Sequence, residues 1–502
     1  MNDVGRRYGN FINGAWTKPV SDRYAKVLNP FNQSVLAEVS QSDKTDVDLA
    51  VAAARKAFDS GAWSTLLTSE RAKYLWRLAD LLEKDILPFA KLESLNQGKT
   101  LKYSRDSDFP FIIDNLRFFA GAARILEGKA AHEYSGMGTS FIRREPIGVC
   151  AGIVPWNYPL YIAAWKFAPA LAAGNTVVLK PASLTPLTLL EFAKLTKKAG
   201  IPNGVFNVVT GNGSVVGTAL ASHPSVDMVA FTGDTWTGKN IMQTASRNLK
   251  KVHLELGGKA PLIVLEDANL DMVAEGACIG GFWNAGQDCT AVTRVYVHKS
   301  QYNKLVNKMI GVARRFKLGN PLGRDTDMGP LISEKQRDRV ESYIRIAVNE
   351  GAKIVHGGNR PKGATFAKGW FLEPTILTNV KHESRVCKEE IFGPVISVFP
   401  YATRAEAIQK ANDVIYGLAA SVYGSNISDC ITVANQLHFG TVWINEHGVL
   451  TSETPHGGFK QSGFGKDLSM YSFEEYTQLK HVYIDLTKQR RRSWHYTVYG
   501  KK

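Results

Sequence analysis

The sequence contains few cysteines, and their spacing excludes several classes of protein. Five cysteines occur in 502 residues, and no two of them form a CxxC pair. An odd number at irregular spacing does not support a disulfide framework, and the missing CxxC pair excludes a zinc ribbon. We therefore expect free thiols, no metal site and a cytoplasmic location.

Long apolar runs are also scarce. The N-terminal segment MNDVGRRYGNFINGAW lacks the apolar core of a signal peptide. One uncharged stretch, from Ile147 to Trp165, is long enough to span a bilayer, but it contains Pro155, Asn157 and Pro159. Turn formers of this kind would leave backbone groups unpaired in lipid. We therefore predict a buried strand followed by a turn, and no membrane span.

Acidic residues are outnumbered by basic ones. Lys and Arg number 61 against 46 Asp and Glu, which gives a formal net charge of +15. The excess is spread along the chain except for KQRRR near the C-terminus, and neither zinc-finger spacing nor an RNP-like segment occurs. No nucleic-acid partner is expected. The basic tail is interpreted as a solvated surface, with a subunit interface as the alternative.

Alternating strand and helix patterns occupy the middle of the chain. With 502 residues, 44% of them apolar, the chain is long enough for two or three domains. The predicted strands begin at Ile147 and continue with Asn175–Lys180, Val205–Val209, Asp227–Phe231 and a strand that ends at Glu255. Strict alternation with helices predicts an α/β fold with a doubly wound parallel sheet, which binds ligands at the carboxyl ends of its strands.

The flanking segments predict scaffold helices and exposed strands. Three helices are predicted before residue 130, at Val47–Phe58, Thr68–Leu82 and Asp106–Ala123. Thr68 is the expected N-cap of the second, and Pro110 breaks the start of the third. Segment Gly136–Arg144 alternates and carries two arginines, which predicts an exposed strand of the kind that pairs with a partner subunit. Segment Tyr476–Leu486 predicts a second edge strand.

Cys289 and Glu255 are the candidate reactive residues. They lie in the Gly-bearing turns FWNAGQDCT and LELGGKAP, from which side chains can project into a cleft. A thiolate attacks carbonyl carbons and a carboxylate activates water, so the pair indicates a covalent thioester mechanism. Taken singly, each residue has a plainer interpretation, as a small buried cysteine and a strand-end surface glutamate.

Several turns indicate ligand contacts. The strand-to-helix turns TGNGSVVG and TGDTWTG are rich in glycine, which lets backbone amides approach a phosphate, although helix packing also explains such glycines. Lys180 is a candidate ribose or phosphate contact or a solvated lysine. The acids of KEEIFGPV are candidates for ribose hydroxyls or a solvated face. The wall of an apolar pocket is predicted at Trp443, His456 and Phe459. A single histidine such as His456 is more often a packing residue than a catalyst.

Eight segments occur together in a recognisable order: FINGAW, PWNYP, KPAS, FTG, LELGGKAP, GQDC, EEIFGP and PHGGFKQSG. On these segments the chain resembles the NAD(P)-dependent aldehyde dehydrogenase superfamily over nearly its whole length. The resemblance implies an NAD(P)-binding domain (1–127 and 147–257), a catalytic domain (258–461) and an oligomerisation domain (128–146 and 462–502). It also implies a homo-oligomer, a tetramer rather than a dimer.

The resemblance assigns roles residue by residue. Cys289 matches the nucleophile, Glu255 the general base, and Asn157 the side-chain amide that binds the oxyanion with the Cys289 backbone N–H. Lys180 matches the adenosine-ribose lysine and Glu390 the nicotinamide-ribose carboxylate. The rest of the implied cofactor cleft comprises Phe392 beside the nicotinamide and Trp156, Gly211, Gly213, Phe231, Gly233 and Gly238.

Two positions depart from the family pattern. Ser183 stands where many NAD-preferring members have a glutamate that binds the 2′-hydroxyl, so a 2′-phosphate is not repelled. The expected cofactor is therefore NAD or NADP. Asp234 stands where many members have serine in the FTGS turn, and an acid beside a pyrophosphate is unexpected.

Within the superfamily, three segments look most like 4-aminobutyraldehyde (1-pyrroline) and betaine aldehyde dehydrogenases: DFPFIIDNLRFFAGAAR, GQDCT and PHGGFKQSGFGKDLSMYSFEEYT. This likeness implies an aldehyde tunnel lined by Tyr158, Trp165, Trp443 and His456, whose aromatic faces favour cationic substrates. Three acids are candidates to meet a distant amino group, namely Asp108, Asp114 and Glu453.

Three alternatives stay open. The first is a general aliphatic or semialdehyde dehydrogenase. The second is an acylating enzyme that releases its product to coenzyme A, against which Glu255 argues. The third is a catalytically retired structural or nucleic-acid-binding protein, against which the intact set of Cys289, Glu255 and Asn157 argues.

Overall fold

The computed structural model describes residues 6–492 and 494–500, which contain two large sheets and two three-stranded sheets. The first large sheet has eight strands, in the order Gly463–Phe464, Lys251–Glu255, Met228–Thr232, Val149–Ile153, Thr176–Lys180, Phe206–Val208, Asn10–Ile12 and Ala15–Thr17. Its five central strands are parallel and its outer pairs antiparallel. The predicted doubly wound parallel sheet is confirmed.

Helices cover both faces of this sheet. One face carries Lys44–Asp59, Thr218–Ser222 and Thr235–Ala245. The other carries Thr68–Lys84, Ile86–Gln97, Phe109–Ala122, Pro159–Ala173 and Leu187–Lys198. Chain order reverses beside Val149–Ile153, because the chain adds strands on one side and then returns to add Met228–Thr232 on the other. The crevice at such a reversal is where doubly wound sheets bind their ligands.

The second large sheet has seven strands. Their order is Lys353–His356, Thr375–Thr378, Val395–Tyr401, Val292–His298, Ala260–Val264, Ala419–Tyr423 and Thr441–Ile444. All pairs are parallel except the one between the first two strands. The flanking helices are Leu270–Phe282, Tyr302–Ala313, Glu334–Asn349, Arg385–Lys388, Arg404–Asn412 and Ile427–Ala434. The segment Leu256–Lys259 connects the two large sheets.

Two three-stranded sheets accompany the large ones. One comprises Arg6–Tyr8, Val35–Ser40 and Tyr24–Leu28. The other comprises Thr477–Asp485, Gly138–Pro146 and Ala131–His132, with nine antiparallel residue pairs between its first two strands. Thr477–Asp485 is an edge strand, as predicted. Gly138–Pro146 was predicted as a protruding strand, but it is the central, half-buried strand of this sheet. In the described ranges, the remaining α-helices are short: Leu101–Tyr103, Ser469–Glu475 and His495–Tyr499.

Two local predictions are wrong. Thr68 is the first helical residue rather than the N-cap, a position held by Leu67 without a side-chain hydrogen bond. Pro110 does not break its helix, because a π-helical turn at Ser104–Asp108 leads directly into Phe109–Ala122. Proline is tolerated in the first turn of a helix, because the N–H that it lacks has no hydrogen-bond partner within the helix there.

The uncharged run from Ile147 to Trp165 forms a buried strand, a turn and the first half of helix Pro159–Ala173. That helix is buried along nearly its whole length. Within the described ranges, no helix combines the length and the apolar character that a membrane span requires.

Candidate active site

A strained loop carries Cys289. Helix Leu270–Phe282 is followed by Asn284, Ala285 and Gly286, which have φ angles of 50°, 56° and 68°. Consecutive left-handed residues are uncommon outside glycine, and such strain persists only where surrounding structure holds it. The buried side chain of Gln287 does so here, donating from Nε2 to the Asn284 carbonyl at 3.1 Å and accepting from the Ile332 amide at 2.9 Å.

Two glycines allow neighbouring motif turns to touch this loop. A Cβ atom on Gly258 would lie 2.2 Å from the Cys289 carbonyl oxygen, and one on Gly286 would lie 2.3 Å from the Gly393 carbonyl. No side chain fits at either contact. The turns LELGGKAP, GQDC and EEIFGP, which lie far apart in sequence, therefore meet through bare backbone.

Asn157 links the first large sheet to the Cys289 loop. It follows strand Val149–Ile153, is almost fully buried, and donates from Nδ2 to the Gln287 carbonyl at 3.0 Å. Asn284 Nδ2 donates to the Asn157 carbonyl at 3.1 Å in return. Because an amide nitrogen carries two hydrogens, Asn157 Nδ2 has a second hydrogen to donate where it meets the Cys289 loop.

The surroundings of both reactive groups disfavour their charged forms. Burial, and after it the charges of Asp288, Glu255 and Glu390, raise the pKa of the Cys289 thiol well above its usual value. Burial, followed by Asp467, raises the pKa of the Glu255 carboxyl well above its usual value, with Lys166 and Lys466 opposing this effect. The site therefore disfavours both the thiolate and the carboxylate, the two forms in which these groups react.

Two of the predicted cofactor residues, Lys180 and Ser183, lie at and just after the carboxyl end of strand Thr176–Lys180, next to the strand where chain order reverses. Lys180 is buried at the end of its strand, donates from Nζ to the Pro181 carbonyl at 2.8 Å, and has a pKa lowered by burial to about 8. Ser183 is exposed, and its Oγ donates to the Gly211 carbonyl at 2.8 Å. A Cβ on Gly217 would lie 3.8 Å from Lys180, so this lysine and the TGNGSVVG turn share one wall.

Asp234 has a structural explanation. Its carboxylate accepts from the Thr237 amide at 2.9 Å and from the Thr237 hydroxyl at 2.6 Å, at the N-terminus of helix Thr235–Ala245. It is therefore an N-cap, a role in which aspartate is strongly favoured. Gly233 precedes the cap, and Gly238 packs against Leu256, where a Cβ would lie 2.6 Å from Cδ2.

The EEIFGP turn forms the opposite wall. The Glu390 carboxylate accepts from the Gly258 amide at 2.9 Å, and burial raises its pKa to about 7. Phe392 has a positive φ of 62° and meets Trp156 edge to face at 5.2 Å. Phe231, in contrast, is buried within its strand and packs in the sheet core.

Aromatic rings continue from Asn157 along helix Pro159–Ala173. Ring centroids of Tyr158 and Tyr161 lie 5.6 Å apart, those of Tyr161 and Trp165 lie 5.0 Å apart, and those of Trp165 and His456 lie 5.5 Å apart. Sequence reasoning missed Tyr161, although the spacing 158, 161 and 165 is that of one helix face. Burial lowers the pKa of His456 to about 4, so this ring is neutral.

Trp443 lies apart from this series of rings. Its indole N–H donates to the Val449 carbonyl at 2.8 Å, and its ring packs on His447 with centroids 4.8 Å apart. His447 in turn contacts the Thr290 carbonyl at 2.7 Å through Nε2. His447, which the sequence did not single out, thus stands between Trp443 and the Cys289 loop.

The three acids predicted to meet an amino group lie in different surroundings. Asp108 is buried and bound to Lys99 Nζ at 2.7 Å, which argues against its predicted role. Asp114 is exposed and accepts from Ser452 at 2.7 Å, and Glu453 is exposed. A fourth acid, Asp288, accepts from the Tyr158 hydroxyl at 2.6 Å directly beside Cys289. The sequence offered Asp288 only as part of the GQDC motif.

Comparison with known proteins identifies the family. The profile of the Aldehyde dehydrogenase family matches residues 16–482. Betaine aldehyde dehydrogenase of Bacillus subtilis is 45% identical over 484 residues, 96% of this chain and 98% of the relative. Human aldehyde dehydrogenase 1A1 is 44% identical over 481 residues, 95% of each chain.

Solved structures agree. Betaine aldehyde dehydrogenase from Staphylococcus aureus in complex with NAD+ has a TM-score of 0.95 at 41% identity, covering 97% of this chain and 96% of that one. The NAD+ complex of aldehyde dehydrogenase from Bacillus cereus has a TM-score of 0.93 at 43% identity, covering 96% and 97%.

The chain belongs to the aldehyde dehydrogenase family. The predicted fold is confirmed, and so is the prediction of an oxidoreductase that acts on aldehydes with a nicotinamide cofactor.

Proposed function

We propose that the protein oxidises a small aldehyde bearing a cationic amino or trimethylammonium group, such as 4-aminobutyraldehyde or betaine aldehyde, to the carboxylic acid. The overall likeness supports this only weakly, since a betaine aldehyde dehydrogenase at 45% identity is matched by aldehyde dehydrogenase 1A1 at 44%. The observation that carries the proposal is local: a carboxylate, Asp288, beside Cys289 in an otherwise aromatic passage.

In this proposal the partly buried Cys289 thiol releases its proton to solvent and the thiolate adds to the aldehyde carbon. The C=O π electrons move to the oxygen, whose negative charge lies between Asn157 Nδ2 and the Cys289 backbone N–H. Each fixed donor in such a site is worth about 3 kcal/mol. The bound nicotinamide supplies the hydride acceptor. Loss of hydride from the carbon leaves a thioester, which water activated by Glu255 hydrolyses to the acid and the free thiol.

The residues fit a dinucleotide. The glycine turn Gly211–Gly217 and the N-terminus of helix Thr235–Ala245 follow strands of the same sheet, close to the point of chain reversal. Lys180 and Glu390 offer an ammonium and a carboxyl group to its two riboses. The remaining wall, Trp156 against Phe392, is apolar and suits a flat ring.

Asp288 has the features of a cation-binding group. One carboxylate oxygen accepts from the Thr290 amide and hydroxyl, both at 2.7 Å, and the other from the Tyr158 hydroxyl at 2.6 Å. These bonds hold the acid in place without neutralising it. The nearby Lys99 ammonium, 4.1 Å from the centre of the Tyr158 ring, is balanced by Asp108. Aromatic faces next to an unbalanced carboxylate attract a cation.

Replacing Asp288 by asparagine tests the substrate class. For Asp288→Asn, kcat/KM for betaine aldehyde should fall about 30-fold, equivalent to about 2 kcal/mol, because the ionic attraction is lost. The uncharged isostere 3,3-dimethylbutanal should lose less than about 3-fold. Both are measured as nicotinamide reduction, with Asp59→Asn, an exposed acid at the end of helix Lys44–Asp59, as the control. Equal losses for the two aldehydes would favour the general aliphatic or semialdehyde alternative.

The choice between NAD and NADP is open at Ser183. We propose that both are accepted, because the exposed Ser183 hydroxyl presents no charge to a 2′-phosphate. In Ser183→Glu, kcat/KM for NADP should fall at least about tenfold more than that for NAD, since like charges repel. Ser183→Gln, of the same size without charge, is the control. An unchanged NADP to NAD ratio in Ser183→Glu would contradict this assignment.

We propose the domain division and assembly that the family resemblance implies, a nucleotide-binding unit, a catalytic unit and an oligomerisation unit, in a homotetramer rather than a dimer. The edge strand Thr477–Asp485 supports this, because Leu479, Tyr483 and Ile484 are exposed on it. Exposed apolar side chains on an edge strand favour pairing of its free edge with another copy. Light scattering distinguishes the two assemblies.

We propose a cytoplasmic location, which the free state of all five cysteines supports.

A further inference from the structure

His253 lies beside the proposed general base. It precedes Glu255 by two residues on strand Lys251–Glu255, so both side chains project from the same face. The ring is fully buried, and its Nε2 lies 3.6 Å from Glu255 Oε1 and 3.9 Å from Asp467 Oδ1. These separations are slightly too long for hydrogen bonds.

Polar atoms without partners are concentrated here. In the described part of the chain, both ring nitrogens of His253, both carboxyl oxygens of Glu255 and Asp467 Oδ1 are buried and make no hydrogen bond. A buried polar atom without a partner destabilises the folded state. Because all belong to one cluster, a movement of about 0.7 Å would pair Nε2 with Glu255 at ordinary hydrogen-bond length.

The charged groups around the cluster define the protonation state of His253. Lys166, from helix Pro159–Ala173, binds Asp467 at 2.7 Å, and Lys466 donates to the Gly457 carbonyl at 2.7 Å. Burial, and after it Lys166, Lys251 and Lys466, lower the pKa of His253 well below its usual value. Three more titratable groups interact with the two acids of the cluster: Cys289 with Glu255, and Glu475 and Tyr476 with Asp467. The imidazole is therefore neutral and carries one N–H.

The same cations argue against a metal ion. Ligand atoms of His253, Glu255 and Asp467 all lie within 4.8 Å of one another, a spacing that an ion could bridge. The ammonium of Lys166 already binds Asp467, however, and Lys466 faces the same acids. A further cation would meet two positive charges in a buried space.

We propose that His253 is a positioning residue that holds the Glu255 carboxylate through its neutral Nε2–H while water is activated for thioester hydrolysis. The inference rests on the proposed function, in which Glu255 performs that step. A neutral donor favours the ionised carboxyl group without adding charge. Gly465 keeps the ring in place, because a Cβ there would lie 2.5 Å from His253 Cδ2, so the backbone lies against the imidazole.

Two polar replacements separate positioning from packing. Glutamine can place an amide N–H near the position of Nε2, whereas asparagine reaches only the position of Nδ1. In His253→Asn, the acidic limb of the kcat profile against pH should move about one unit higher, and kcat at neutral pH should fall about tenfold. His253→Gln should stay within about threefold of the parent enzyme. The first burst of nicotinamide reduction should be unchanged in both.

The outcomes are decisive for His253. An unshifted acidic limb in His253→Asn would overturn the inference, and so would an equal shift in both variants. If both variants lose the burst or unfold at a lower temperature than the parent enzyme, the kcat profile of His253→Ser against pH is measured instead. An acidic limb at the parent position would again overturn the inference. If Glu255→Gln hydrolyses the thioester normally, the proposed function fails instead. Added chelator should change neither kcat nor the profile.

Discussion

Cys289→Ser is expected to abolish aldehyde oxidation, lowering kcat about 10⁴-fold or more while leaving cofactor binding intact. The parent thiol is already disfavoured as thiolate by burial and by the acids around it. A serine hydroxyl at the same place loses its proton far less readily and is a poorer nucleophile. Reduced nicotinamide is followed by absorbance, and cofactor binding by fluorescence titration.

Cys430→Ala is the matched control for this change. Cys430 is buried on helix Ile427–Ala434, outside the candidate site, so its removal should leave kcat nearly unaltered. Steady turnover by Cys289→Ser would remove Cys289 from the role of nucleophile. A broad aldehyde panel that yields no reduced nicotinamide with the parent enzyme, together with tight and salt-dependent DNA binding, would favour the retired-protein alternative.

Glu255→Gln should give one burst of reduced nicotinamide per site and then stop at the thioester, with steady kcat lowered about 10³-fold or more. Hydride loss needs no base at this position, whereas the attacking water does. Because burial raises the pKa of Glu255, its carboxylate forms only as pH rises, and thioester hydrolysis in the parent should accelerate with pH through that raised value. The variant should lack this rise.

This prediction is tested by measuring the burst amplitude and the mass of the trapped acyl-enzyme. Glu453→Gln, at an exposed glutamate, is the control. Free acid formed by the parent without coenzyme A is the companion measurement. A parent enzyme that makes no acid until coenzyme A is added would favour the acylating alternative. Undiminished steady turnover by Glu255→Gln would remove Glu255 from its assigned role.

Patterns local in sequence predicted the fold well. Regular alternation of apolar strands and helices indicated the doubly wound sheet, and its strands form close to the expected residues. Positions that depend on distant partners were not predictable. Gly138–Pro146 is a central strand because Thr477–Asp485 covers one edge and Ala131–His132 the other, and neither pairing is visible in the strand itself.

The same distinction applies to the candidate site. Asp234 follows a rule that the sequence could have supplied, since aspartate before a helix is a favoured cap. Asp288 could not be singled out, because its significance arises from the Tyr158 hydroxyl, 130 residues away. The role of His253 was partly predictable from the sequence. Its two-residue spacing from Glu255 was readable, but its burial against Asp467 was not.

Residues 456–485 complete structures that are formed mainly by residues 1–255. Gly463–Phe464 pairs with Lys251–Glu255, His456 and Asp467 belong to this late segment, and Thr477–Asp485 adds the edge of a small sheet. The seven-stranded sheet, in contrast, uses only residues 260–444 and lies within that interval. During synthesis on the ribosome, this inner unit can therefore fold before the surrounding one is finished. Catalytic competence requires that the chain has been made through Asp467.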